Sequence, residues 1–170
     1  MLEGAKSYSR SENILHWLPS LFIAMAAWYF LSTRGSFTLL DNFDLIIHEA
    51  GHFILSWGGE TIYFLGGTLM QLIVPFLLIV FSLYNSFQYF FQISSILMAQ
   101  NCINISVYVA DAQTQNLHLF GPPGAKHDWN FLLTKYSLMD YYGDISLFFV
   151  VLACLFFLFA FIAPLYIHEQ

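Results

Sequence analysis

Along this chain, apolar positions gather into five segments separated by short polar breaks. They cover about Ile14–Leu31, Phe43–Trp57, Ile62–Leu83, Phe87–Ala110 and Ile145–Ile167. The last three each exceed the roughly 20 residues that an α-helix needs to cross about 30 Å of hydrocarbon. The second is marginal: it extends back to Leu39 or lies partly within the bundle, and it is rich in ionisable residues. The expected fold is an all-α polytopic membrane helix bundle with about five transmembrane segments, one domain over residues 1–170. Ala24-Met25-Ala26 has the look of a signal-peptide cleavage site. The rest of the chain is itself membrane-like, which favours an uncleaved first span.

Composition supports lipid as the solvent. Hydrophobic residues make up 58% of the chain and charged residues 9%, and the mean hydropathy is +0.64. Soluble domains carry about 25% charged residues, so a water-exposed surface would be starved of them here. Eleven acidic residues against five basic ones leave no basic patch for nucleic acid. Cys102 and Cys154 stand singly and form no zinc-ribbon spacing, which reads as apolar filling.

Charge also suggests an orientation. With a cytoplasmic N-terminus, Lys6, Arg10, Lys126 and Lys135 lie inside and only Arg34 outside, as the positive-inside rule asks. Five spans then place the C-terminus outside. The expected location is a bacterial inner membrane, with the polar stretch Asp111–Gly143 on the cytoplasmic side. Gly121-Pro122-Pro123-Gly124 makes a firm turn within that stretch. The last segment has no ionisable residue from Ser146 to Tyr166 and reads as a lipid-facing helix.

The chemistry lies in the second segment. His48-Glu49-Ala50-Gly51-His52 is an HExxH motif; on a helix it sets both imidazoles on one face, with a carboxylate beside them. Ionised groups at membrane depth cost roughly 2.5–3.5 kcal/mol each on insertion scales, so their presence there points to function. The two histidines are candidate metal ligands and Glu49 a candidate general base. A catalytic zinc takes three protein ligands and leaves a fourth position open.

Two places can supply the third ligand. Asp111 closes a stripe on the fourth segment that also holds Asn104, Tyr108 and Asn101 or Gln100 at helical spacing. Asn104 and Tyr108 are candidates for orienting a ligand or steadying an oxyanion. The second place is His127-Asp128, which precedes the apolar run Trp129–Leu133; both are candidate metal residues, with His127 ligating while Asp128 caps the helix or orients an imidazole. Asp44, one turn before His48, and Asp41 near the same face suit a supporting role or a second ion. In the third segment Gly67, Gln71 and Pro75 share a face, and Gly66-Gly67 permits close helix packing or a substrate groove. His16, His118 and His168 read as interfacial histidines.

The HExxH motif within a span, the glycines after it and the Asn-containing span ending in Asp111 resemble the site-2 protease family of intramembrane zinc metalloproteases. The resemblance covers about Phe43–Ala112. It implies His48 and His52 as ligands, Glu49 as base, and Asp111 as third ligand. The second motif is the looser one: Asn104 to Asp111 lacks the family's Pro, is one residue short, and is followed by Ala112 rather than Gly.

The expected function is a membrane-embedded zinc hydrolase, most simply a peptidase acting on a membrane peptide, with the lipid bilayer as its surroundings. A lipid amidase or ester hydrolase of alkaline-ceramidase type and a non-enzymatic metal-handling protein are the alternatives. One or two zinc ions suit the donors; iron or manganese suit a His/Asp-rich site as well.

Overall fold

The computed structural model describes residues 10–117 and 126–167, with side chains from Trp17 onward. Its six helices are α1 (Arg10–Ser32), α2 (Leu39–Ile54), α3 (Gly59–Tyr84), α4 (Gln88–Ala110), α5 (Asp128–Lys135) and α6 (Tyr142–Ile162). No strand occurs among the described residues, so the all-α reading stands. Lys6, His118, the turn Gly121–Gly124 and His168 lie outside the described residues, as does the side chain of His16.

Among the described residues, three helical stretches are long and apolar enough to cross a membrane: Ser56–Tyr84, Gln88–Ala110 and Met139–Leu165. This is the build of an integral membrane protein. The apolar part of α1, Trp17–Ser32, is shorter. Helix α4 is the hub. Its buried positions include Met98, Cys102, Ile105 and Val109, and α6 packs along it through Phe149, Ala153, Phe157 and Ala160.

Helix α2 departs from the five-span expectation. Its 16 residues rise only about 24 Å. Its start lies deep in the bundle, because Asp41 accepts hydrogen bonds from Gln100 at 3.2 Å and Asn104 at 2.8 Å. Gln100 is ten residues, about 15 Å, before the end of α4. The far end of α2 comes out beside the start of α3, where His52 Nδ1 donates to the Tyr63 carbonyl at 2.7 Å. Helix α2 therefore runs from mid-depth to one end of the bundle.

The chain reaches that depth from the same end. Arg34, just past α1, donates to Ser106 Oγ at 3.0 Å and to Ser146 Oγ at 2.7 Å, near the last turn of α4 and the first turn of α6. At the opposite end Ser20 of α1 donates to the Phe161 carbonyl at 2.8 Å. Helix α1 thus runs parallel to α4, and Arg34 shares an end with Asp111, Lys126 and Lys135. That corrects the charge-based placement of Arg34 opposite those lysines. The expectation of Arg34 opposite the lysines rests on α2 as a full crossing, which its mid-depth start does not make.

Helix α2 is also inside-out. Asp41, Asp44, His48, Gly51 and His52 face inward and are buried, while Phe43, Ile46 and Phe53 point outward. With Phe53 82% exposed, the outer face suits lipid and the inner face is reserved for polar work.

Candidate metal centre

Helical spacing brings His48 and His52 together, with ring centroids 4.7 Å apart. His48 Nδ1–H donates to Gln71 Oε1 at 3.0 Å, and His52 Nδ1–H donates to the Tyr63 carbonyl. Each ring therefore turns Nε2 toward the same point. There stands Asp128 Oδ2, 2.9 Å from His48 Nε2 and 3.2 Å from His52 Nε2. His48, Glu49 and His52 also offer ligand atoms within 4.8 Å of one another and can hold a metal ion. Both histidines and Asp128 are buried, while Glu49 is exposed to the cavity beside them.

These distances suit a cation. Tetrahedral ligands at zinc–ligand distances of about 2.0–2.2 Å stand roughly 3.3–3.5 Å apart, so a slight expansion of the present triangle admits the ion. With both Nδ1–H groups already donating, the two Nε2 atoms face a carboxylate either bare or as two neighbouring imidazoliums. A single metal ion satisfies all three at once.

Helix α5 delivers Asp128. His127 caps that helix: its Nδ1 accepts the Asn130 N–H at 3.2 Å, and its Nε2 faces Asp111 Oδ2 at 3.5 Å. The ring stacks on Tyr108 at 4.2 Å. Tyr108 in turn donates to Asp128 Oδ2 at 3.3 Å and accepts the Asp128 N–H at 3.2 Å. Burial works against a charge on Asp128, but the contacts from His48 and then His52 outweigh it and hold the carboxyl below its usual range. Burial likewise pushes His127 below the ordinary histidine value, against the pull of Asp111.

Asp128 thus faces the imidazoles, one of the places expected for it, while His127, expected as a ligand, caps the helix instead. Asp111 is engaged elsewhere. Its carboxylate accepts from Thr114 Oγ1 at 2.7 Å and from the backbone N–H groups of Asn116 and Leu117 at 2.8 and 3.0 Å. None of its hydrogen bonds or ion pairs reaches His48 or His52. Helix α4 ends at Ala110, so the Asp111 side chain is spent on the turn that follows.

Asn104 and Tyr108 line the cavity, but their polar groups are committed. Asn104 donates to Asp41 and accepts from Gln71 Nε2 at 3.1 Å, while Tyr108 holds Asp128. Asp44 is buried beside Gln100 and Asn101 on α4, and neither of its oxygens bonds His48. Sequence reasoning left the histidine-orienting roles of Gln71 and of the Tyr63 carbonyl unassigned. An amide in the middle of an apolar span was the available signal for the first; a backbone carbonyl leaves none.

The site opens into a cavity of about 570 Å³ between α2, α4 and the segment joining α1 to α2. Phe30, Phe37, Leu45 and Ile103 supply apolar walls, with Glu49 and Asp128 among the polar groups. Comparison with known protein families, curated proteins and solved structures finds no match for this chain.

Proposed function

We propose that this chain is a membrane-embedded, metal-dependent hydrolase whose ion is held by His48, His52 and Asp128, with Glu49 as general base. The observation that carries it is the meeting of two Nε2 atoms and one carboxylate oxygen at 2.9 and 3.2 Å, with both Nδ1–H groups spent on carbonyl acceptors. Two histidines and a carboxylate are the donor set of many catalytic zinc sites. Bound there, zinc would supply a Lewis acid and a water of lowered pKa.

The chain's own residues do the rest. Gln71 and the Tyr63 carbonyl hold the imidazoles in the tautomer that leaves Nε2 free. Tyr108 anchors the third donor. Glu49 stands exposed to the cavity beside the histidines, where a carboxylate can take a proton from an attacking water. The partly apolar cavity accommodates an acyl or peptide group arriving from the membrane; the amide bond of a membrane peptide is the simplest substrate.

Elemental analysis of the purified protein and turnover by Glu49→Gln test this. The variant is expected to keep its metal and lose hydrolysis of both a membrane-helix peptide and a long-chain lipid amide. Cleavage of the lipid amide alone by the parent protein would move the substrate to lipids. A parent protein that binds metal and cleaves neither would sink the hydrolase reading.

A further inference from the structure

The two amides between α2, α3 and α4 form a chain with one direction. His48 Nδ1 lies 3.0 Å from Gln71 Oε1, Gln71 Nε2 lies 3.1 Å from Asn104 Oδ1, and Asn104 Nδ2 lies 2.8 Å from Asp41 Oδ1. Gln71 and Asp41 are buried. The last member settles the direction. An ionised carboxylate only accepts, so Asn104 must offer Asp41 its NH₂ group. That turns Asn104 Oδ1 toward Gln71, which must then offer its own NH₂ and leave Oε1 to face His48. An oxygen facing Nδ1 requires the proton there. Reversing either amide would set two acceptors against each other in a buried place, which leaves desolvated groups unsatisfied.

Asp41 is well suited to anchor the chain. Its Oδ1 also accepts from Gln100 at 3.2 Å, and its Oδ2 accepts the backbone N–H and the hydroxyl of Thr38, the residue before α2. Four donors converge on this one carboxylate, and both its oxygens accept. Resting on the reading of His48 as a ligand, we propose that Asp41 is a positioning residue that sets the His48 tautomer through Asn104 and Gln71, freeing Nε2 for the metal. The arrangement lengthens by two amides the carboxylate–histidine pairing that orients ligands in metal sites.

A charge transfer along the chain tests it. Asp41→Asn removes the acceptor-only end and frees both amides to turn. Adding Gln71→Glu places a carboxylate directly against His48 Nδ1; Asn104 can then reverse, donating to the new carboxylate and accepting from Asn at position 41. Nitrogen-15 histidine NMR of the metal-free protein, in an Asp128→Ala background that removes the carboxylate 2.9 Å from His48 Nε2, reads the tautomer, and cobalt(II) absorption with Asp128 in place reads affinity. With position 41 unchanged, His48 is expected to be protonated at Nδ1 alone. Asp41→Asn should show mixed tautomers and about 10–100-fold weaker cobalt binding. The double variant should restore both.

Unchanged tautomer and affinity in Asp41→Asn overturn the proposal. A loss that the double variant fails to restore also overturns it, since Asp41 would then be only a structural cap. Should Asp41→Asn not fold, Asn104→Ala breaks the chain at its middle: mixed tautomers support the proposal and an unchanged His48 overturns it. The expected tautomer together with no hydrolysis by the parent protein would fell the hydrolase reading and leave this one standing.

Discussion

Gly51 of α2 and Gly66 of α3 touch backbone to backbone. A Cβ built on Gly66 would lie 2.6 Å from the Gly51 carbonyl oxygen, and one on Gly51 would press into the Gly66 carbonyl. The neighbour, Gly67, leaves space that the His48 ring fills. Three glycines therefore set how near the motif helix stands to α3, and through it whether Gln71 and Tyr63 reach the histidines.

Substitution at these glycines should separate packing from ligation. Gly66→Ala forces two backbones apart and is expected to destabilise by roughly 1–3 kcal/mol, as overpacking does. It lowers the thermal midpoint in detergent. Gly67→Ala meets a side chain instead, so its main loss should be in bound metal, measured per chain by elemental analysis. Equal loss of midpoint and retained metal in Gly67→Ala would contradict this division.

Asp128 and Asp111 can be told apart by the same measurement. Asp128→Asn removes a proposed ligand and should cost more than the 10–100-fold in zinc affinity typical of a residue that merely orients one. Asp111→Asn should keep zinc stoichiometry, since Asp111 bonds Thr114 and the Asn116 and Leu117 amides instead. Loss of metal in Asp111→Asn with normal binding in Asp128→Asn would restore the arrangement that the resemblance implied.

What the sequence made legible follows from what helical spacing controls. His48, Glu49 and His52 were readable because four residues make one turn, and that geometry survives any packing. The helical architecture was readable from apolar length. Which of Asp111, His127 and Asp128 meets the imidazoles was not, because each comes from outside the motif helix, across a loop or a polar connection. His127 and Asp128 each suit a helix start, and spacing cannot say which one caps and which one turns inward. The short second segment left room for a helix lying partly within the bundle, but the depth at which α2 starts was hidden. Hydropathy measures how apolar a segment is, whereas the depth of Asp41 is set by its partners Gln100 and Asn104.

The turn after α4 carries a pH dependence of its own. Burial opposes the Asp111 charge, but the Leu117 and Asn116 amides, the Thr114 hydroxyl and nearby His127 prevail and hold its carboxyl below the ordinary aspartate value. A depressed folded pKa stabilises above the unfolded value, and that stability is lost as pH falls through the folded one. The metal-free protein should therefore lose thermal midpoint as pH drops below about 4, the unfolded aspartate range. Asp111→Asn should begin with a lower midpoint at pH 6 and show a shallower fall. Parallel curves for the two proteins would remove Asp111 as the cause.

The path of α2 gives the sharpest test of architecture. If the chain dips to mid-depth after Arg34 and returns along α2, the segment before α2 and the end of α5 lie on one face, with the α3–α4 turn on the other. Ser36, Lys135 and Asn85 are exposed markers for these three places. In a background with Cys154 replaced, Ser36→Cys and Lys135→Cys should react with a membrane-impermeant maleimide from the same side of sealed vesicles, and Asn85→Cys from the opposite side. Cys102 is buried and should stay silent. If α2 crossed the bilayer fully, Ser36→Cys would instead label together with Asn85→Cys. That pattern would be incompatible with the Arg34 contacts to Ser106 and Ser146, and with a site assembled from α2 and α5 at one end of the bundle.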